Sequence, residues 1–368
     1  MVGLTDPAKA GFMRTGFTAP TLTLHRRPSG LPFQARHPAW HLFPLVFSPS
    51  DGCGQWTPSF PSYNSSNSPS SPPTSSRPKL KVFALLRHNH HLRDVVKCSF
   101  TEAWLDGRDG HHFYTRTYPA TTPQKAVLVF VHGFGDHISR YEDIHPRFAA
   151  HGITVFAYDM RGFGRTALDE EHRSPGELYG KTSRPLELGD LDWWVNHVAG
   201  TYPGVPIFVM GHSAGGGMVL AFGALSGPPP SPETVAKVSG IIAQCPLVRL
   251  THPNGKVATA VLNGLSKLSP AFQVPAPMPE NGEELLQTGY KRWPSNLPMI
   301  TTWGTADEVN CPKAGVAFYN KLQIEDKKLV EYDGALHDLL HEAEDIPDKV
   351  IGEYVAFIEA HLSGRPSA

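Results

Sequence analysis

The sequence predicts an α/β fold, a mostly parallel sheet with helices on both faces. Three observations lead there. Apolar strands alternate with helical segments from residue 99 onward, and a strand with no polar face must be covered on both sides. An apolar run, Pro206 to Met210, turns through Gly211-His212-Ser213-Ala214-Gly215 into a small-residue helix, Ala214 to Ala224. An aspartate and a histidine each stand just past the carboxyl end of a later strand, where parallel sheets build their sites.

Taken in order, residues 1–97 form an extension apart from the fold. Proline and serine dominate it, above all between Ser48 and Pro78, and such a composition buries too little apolar surface to offset its ordering entropy. Between Pro7 and Arg93 the only acid is Asp51, against Lys9, Arg14, Arg26, Arg27 and Arg36. That bias leaves mitochondrial targeting open, although no clean amphipathic helix accompanies it. His88, His90 and His91 read as solvated rather than as metal ligands.

The folded domain is expected over residues 98–368. Phe113 to Tyr118 alternates like a strand, and Ala126 to Val131 is a buried one that runs into His132-Gly133-Phe134-Gly135-Asp136-His137. Helical spacing covers Tyr141 to Ala150, closed by His151-Gly152. Strand Ile153 to Tyr158 stops at Asp159-Met160-Arg161-Gly162. Leu186 to Val198 reads as a helix whose Trp193 and Trp194 are packing residues. After the Ser213 turn come strand Val238 to Ala243, a helix near Glu283 to Trp293, strands Pro298 to Trp303 and Lys328 to Tyr332, and a final helix, Val350 to Leu362.

Composition narrows the function. Lys and Arg total 33 against 34 for Asp and Glu, a net charge of -1, so no nucleic-acid partner is indicated. Cys53, Cys98, Cys245 and Cys311 lie far apart with no C-x-x-C, which reads as free thiols in a reducing, intracellular setting. No apolar run approaches the roughly 18 residues of a membrane span.

The chemistry centres on Ser213. A G-x-S-x-G on a sharp strand-to-helix turn projects the serine oxygen above the sheet, and a Cβ on either glycine would strike the neighbouring backbone. A serine hydroxyl needs a base, an orienting acid and oxyanion donors. Asp307 follows the strand ending at Trp303, and His337 follows the strand ending at Tyr332, so they are the expected acid and base. Glu308, Asp333 and Asp338 compete for the acid role and His341 for the base. The oxyanion donors are expected to be the backbone N–H groups of Ala214 and Phe134. No metal and no cofactor is required.

These motifs, His-Gly-Phe-Gly-Asp-His-Ile-Ser-Arg-Tyr, Tyr-Asp-Met-Arg-Gly-Phe-Gly-Arg, Gly-His-Ser-Ala-Gly-Gly, Gly-Thr-Ala-Asp and Gly-Ala-Leu-His, resemble those of the monoacylglycerol lipases of the α/β-hydrolase superfamily, most closely the fungal type. The resemblance covers about Glu102 to Leu362. It implies an α/β-hydrolase fold with Ser213, Asp307 and His337 as catalytic triad. It also implies substrate-binding roles for Asp136 and Arg140, which stand at the family's glycerol-holding positions, and for His341. The family carries a second histidine three residues after the base, whereas here His341 lies four after His337. The family's helical cap is shortened, with a remnant at about 246–281 whose apolar helix face either touches a lipid surface or covers the site.

The implied function is serine hydrolysis of monoacylglycerol to fatty acid and glycerol, in the cytoplasm or peripherally on membrane or lipid-droplet surfaces. A related carboxylesterase, thioesterase, acyltransferase or small-peptide hydrolase is the alternative, since fold does not fix substrate. A scaffold that only binds lipid is the reading of a different class, motivated by the short cap.

Overall fold

The computed structural model describes residues 99–252 and 284–363. The extension 1–97, with Cys53 and His88, His90 and His91, lies outside the described residues, as do Cys98 and most of the cap remnant.

Eight strands make one sheet: β1 (Thr101–Asp106), β2 (His112–Tyr118), β3 (Ala126–Val131), β4 (Ile153–Tyr158), β5 (Ile207–His212), β6 (Val238–Gln244), β7 (Met299–Gly304) and β8 (Lys327–Tyr332). They lie side by side in the order β1-β2-β4-β3-β5-β6-β7-β8. The β1–β2 and β2–β4 pairs are antiparallel, and every pair from β4 to β8 is parallel. Every residue of β3, β4, β5, β6 and β7 is buried, as their apolar, β-branched sequences require of a sheet covered on both faces.

Helices supply the cover: α1 (His145–Ala150), α2 (Gly164–Leu168), α3 (Arg184–Thr201), α4 (Ala214–Gly223), α5 (Pro232–Ala236), α6 (Tyr290–Arg292), α7 (Pro312–Lys321) and α8 (Ile346–Ala360). On one face Val129 and Val209 pack in a core with Trp194 of α3, Met218 of α4 and Phe318 of α7. On the other, Leu128, Phe130 and Met210 pack in a core with Phe148 of α1 and Tyr354 and Ile358 of α8. Alternate residues of one strand thus serve opposite cores. After Ala214, helix α4 continues with three glycines, each costing about 1 kcal/mol against alanine in a helix interior. Its residues from Gly215 to Gly223 are all buried, so packing offsets that cost. Trp194 is wholly buried edge-on against Phe113 at 5.4 Å between ring centroids, while its neighbour Trp193 is partly exposed.

Two expected elements differ. The stretch 141–150 is not one helix. A 3₁₀ turn over Ile138–Tyr141 precedes α1, which starts only at His145. Pro146 sits in its first turn, where a missing N–H costs nothing, and the proline ring would clash with a helix continued upstream. The helix near Glu283 to Trp293 is a π turn, Leu285–Gly289, running into the short α6.

Candidate active site

The loops after β3, β5, β7 and β8 meet above the carboxyl edge of the sheet. Ser213 joins β5 to α4 with φ 57° and ψ −116°, a left-handed backbone that a non-glycine residue adopts only when its surroundings enforce it. Two contacts enforce it. A Cβ on Gly211 would lie 2.2 Å from the Gly215 carbonyl oxygen, and one on Gly215 would lie 2.3 Å from that of Val131. The turn is further pinned where Ser213 N–H donates to the Gln244 carbonyl at 3.0 Å.

Ser213 Oγ lies 2.8 Å from His337 Nε2, and His337 Nδ1 lies 2.8 Å from Asp307 Oδ2. The carboxylate is an acceptor only, so the imidazole proton sits on Nδ1 and Nε2 presents a lone pair to the serine hydroxyl. The structure therefore brings Ser213, Asp307 and His337 into one relay, able to draw a proton from the hydroxyl. Asp307 is buried, and its Oδ1 accepts the N–H groups of Val309 at 2.8 Å and Asn310 at 2.9 Å. Asn310, which no motif of the sequence marks, also donates its side-chain amide to the Cys245 carbonyl at 2.8 Å. Glu308 is exposed, and Asp333 accepts from Thr305 Oγ1, so neither competing acid reaches the histidine.

The loop after β3, which carries Phe134, is held from below. His132 is fully buried and burial pushes its pKa down to about 4, leaving it neutral. Its Nε2 accepts the Met160 N–H at 2.8 Å, so Nδ1 carries the proton and donates to the Gly133 carbonyl at 2.7 Å. Asp159 Oδ1 accepts the Ile138 N–H at 2.7 Å, anchoring the far end of the loop. Gly133 abuts the nucleophile, since a Cβ there would stand 3.2 Å from that of Ser213. The N–H groups of Phe134 and Ala214 have no partner among the described residues. The Phe134 ring is 48% exposed and meets Phe163 edge-on, which in turn meets Tyr179.

Asp136, Arg140 and His341 belong to one polar network beside this relay. Arg140 pairs with Asp136 at 3.3 Å and with Asp338. Tyr141 donates its hydroxyl to Asp136 Oδ2 at 2.8 Å and lies 3.1 Å from His212 Nδ1, while His212 Nε2 faces the His337 carbonyl oxygen at 3.3 Å. Burial pushes His212 down to about 4, so it too is neutral. Asp338, adjacent to the base in sequence, is thus engaged by Arg140 and His341 rather than by His337. Nothing local in the sequence marks Tyr141 and His212, because an aromatic after a loop and the second residue of G-x-S-x-G look like packing and spacing.

His341 places Nδ1 3.0 Å from Asp338 Oδ2 and Nε2 3.0 Å from the Arg140 carbonyl oxygen. Two acceptors facing two ring nitrogens call for a proton on each. The hydrogen bond to Asp338 accordingly raises the His341 pKa. A raised histidine value means that the fold gains stability from the imidazolium below about pH 6.5 and loses it as pH rises through the folded value. The thermal midpoint should therefore fall more in the wild type than in His341→Gln between about pH 6 and about pH 9. Equal slopes would remove the imidazolium from this network.

A family model described as "Serine aminopeptidase, S33" matches residues 122–294 and 282–344. A putative monoglyceride lipase of Schizosaccharomyces pombe is 28% identical over 305 residues, covering 73% of this chain and 72% of that one. A monoacylglycerol lipase of Mycolicibacterium smegmatis is 27% identical over 301 residues, covering 73% and 100%. Among solved structures, a soluble variant of monoglyceride lipase from Saccharomyces cerevisiae, in complex with a substrate analog, is similar with a TM-score of 0.59 at 21% identity, covering 73% and 96%. A thermostable carboxyl esterase from Bacillus coagulans in complex with glycerol follows at 0.58 and 21%, covering 72% and 99%. These likenesses show an α/β-hydrolase fold.

Proposed function

The chain belongs to the family described as serine aminopeptidase S33, and on that premise we propose that it hydrolyses monoacylglycerol to fatty acid and glycerol through an acyl-enzyme. The observation that carries the chemistry is the Ser213–His337–Asp307 relay, with both links at 2.8 Å. Ser213 Oγ attacks the ester carbonyl as its proton passes to His337 Nε2. Asp307 keeps the imidazole in the required tautomer and stabilises the imidazolium that forms. The N–H groups of Phe134 and Ala214 receive the oxyanion, and His337 then protonates the departing glycerol oxygen. Water, activated by the same histidine, releases the fatty acid.

An ester is preferred over a peptide because of the relatives' names and because of Asp136. An aminopeptidase needs a carboxylate for the substrate's free amine. Asp136 already accepts from the His137 N–H, Arg140 and Tyr141. An acyl chain would find an apolar wall in Phe134 and Tyr179, both packed on the buried Phe163, with Leu178, Val309 and Leu336 also exposed. That apolar rim supports a lipid surface as the place where the substrate is met. The deciding experiment compares turnover of an emulsified long-chain monoacylglycerol with that of a soluble short-chain ester and an aminoacyl amide. Amide cleavage without monoacylglycerol cleavage would overturn the reading.

Head-group selectivity is assigned in part to Arg140. Its guanidinium is about two-fifths exposed beside Asp136 and Asp338, so donors remain for a glycerol hydroxyl. Arg140→Ala should lower kcat/KM for monoacylglycerol by about ten- to a hundredfold, the equivalent of roughly 1.5–3 kcal/mol, and spare an ethyl ester of the same acid. Equal loss on both substrates would reduce Arg140 to a brace of the oxyanion loop.

A further inference from the structure

Beneath the Asp307–His337 pair lies a side chain that the hydrolytic relay does not use. Cys245 follows β6 with φ 41° and is wholly buried. Its backbone is fixed on both sides, the N–H donating to the Thr302 carbonyl at 2.9 Å and the carbonyl accepting from the Asn310 amide. Its Sγ, an Asp307 carboxylate oxygen and a His337 ring nitrogen all lie within 4.8 Å of one another. Thiolate, imidazole and carboxylate are together the donor set of zinc-class cations, and three protein ligands leave the fourth tetrahedral position to water. Bonds of about 2.0–2.3 Å require ligand atoms roughly 3.3–3.8 Å apart. The His337–Asp307 pair at 2.8 Å needs only to widen slightly, ligand atoms as far as 4.8 Å apart need to close in by about 1 Å, and the His337 side chain, 18% exposed, is the most accessible of the three.

We infer that Cys245, Asp307 and His337 form an inhibitory site for a thiophilic divalent cation of the zinc class. The inference rests on Ser213 and His337 acting as proposed above. On binding, bonds form from the ion to Cys245 Sγ, Asp307 Oδ2 and His337 Nδ1. The thiol proton leaves to solvent, and the imidazole proton moves from Nδ1 to Nε2. Neither ion nor protein changes oxidation state. His337 then turns an N–H toward Ser213 Oγ where it had offered a lone pair, and it no longer accepts the hydroxyl proton. The cation thus silences the enzyme by fixing the wrong tautomer, with the nucleophile left in place.

Cadmium serves as the probe, because its thiolate complexes absorb in the ultraviolet. The full chain and its Cys245→Ser variant are titrated with cadmium chloride, each normalised to its own cadmium-free ester turnover. In the wild type, turnover and fluorophosphonate labelling should fall as the thiolate–cadmium absorption grows, and a chelator should reverse all three. Cys245→Ser should need about tenfold more cadmium or higher for half inhibition, having lost the soft ligand, and should lack that increment of absorption. Cys245→Ala gives the same comparison if the serine variant does not fold. Equal cadmium sensitivity in variant and wild type, or an absorption increment that survives the substitution, would overturn the inference. Absence of any cadmium-free turnover would instead remove the hydrolase reading, while the absorption change still reports on the metal site.

Discussion

Replacing Ser213 with alanine is expected to remove acyl-enzyme formation and to lower turnover by on the order of 10⁶, with the fold unchanged. His337→Ala should do nearly the same, because members of such a relay act as a unit. Asp307→Asn is the more discriminating variant. An amide in place of Oδ2 meets the Nδ1–H with a donor or forces the imidazole proton to Nε2, and the corresponding change in serine proteases costs about 10⁴. The variant keeps the volume of the carboxylate, and the N–H groups of Val309 and Asn310 still find an oxygen. Stability should therefore change far less than turnover. Steady-state turnover beside a urea unfolding curve separates the two. Near-normal rates in Asp307→Asn would transfer the acid role to another carboxylate.

Gly215→Ala should have the next largest effect, this time on fold and rate together. The added Cβ would lie 2.3 and 2.4 Å from the carbonyl oxygens of Val131 and His132, both backbone atoms with little room to give. Overpacking ordinarily costs about 1–3 kcal/mol, and a clash with two backbone atoms belongs at the upper end. The displaced segment leads into the loop that carries the Phe134 N–H, so an oxyanion donor moves off target. Loss of one such donor costs about 10²–10³ in turnover. A lower urea midpoint with a matching fall in rate is the expected pair of readings. Retention of both would mean that α4 and the end of β3 are not packed as closely as described.

Much of this arrangement is legible in the sequence, for a physical reason. Strands β3 and β4 were read with their observed limits because every residue in them is apolar or β-branched and both faces are covered. Ser213 and Asp307 were legible because each follows such a strand, and His337 because it follows the next strand, β8, in the expected chain order. Edge strand β1 was not. Thr101–Asp106 is partly exposed throughout and mixes polar with apolar residues, so nothing marks it until β2 pairs with it. Helix α7 was missed because Gly315 interrupts its helical pattern. In the fold that position lies against Trp303, where a Cβ would come within 2.0 Å of the ring, so the break in pattern is a packing requirement. The network of Tyr141, His212 and Asp338 depends on loops from different strands meeting, which no local spacing records.

The ion pair between Arg140 and Asp338 has a further consequence. Asp338 rides on the loop after β8, which borders the sheet and pairs only with β7. Arg140 rides on the loop after β3, with β5, β6 and β7 in between. Border strands are where local opening ordinarily begins. Here such fraying would have to break a bond to the interior of the sheet and, through Asp136, loosen the oxyanion loop as well. The loop that carries the base and the loop after β3 are thereby tied across three intervening strands, so that loosening one disturbs the other.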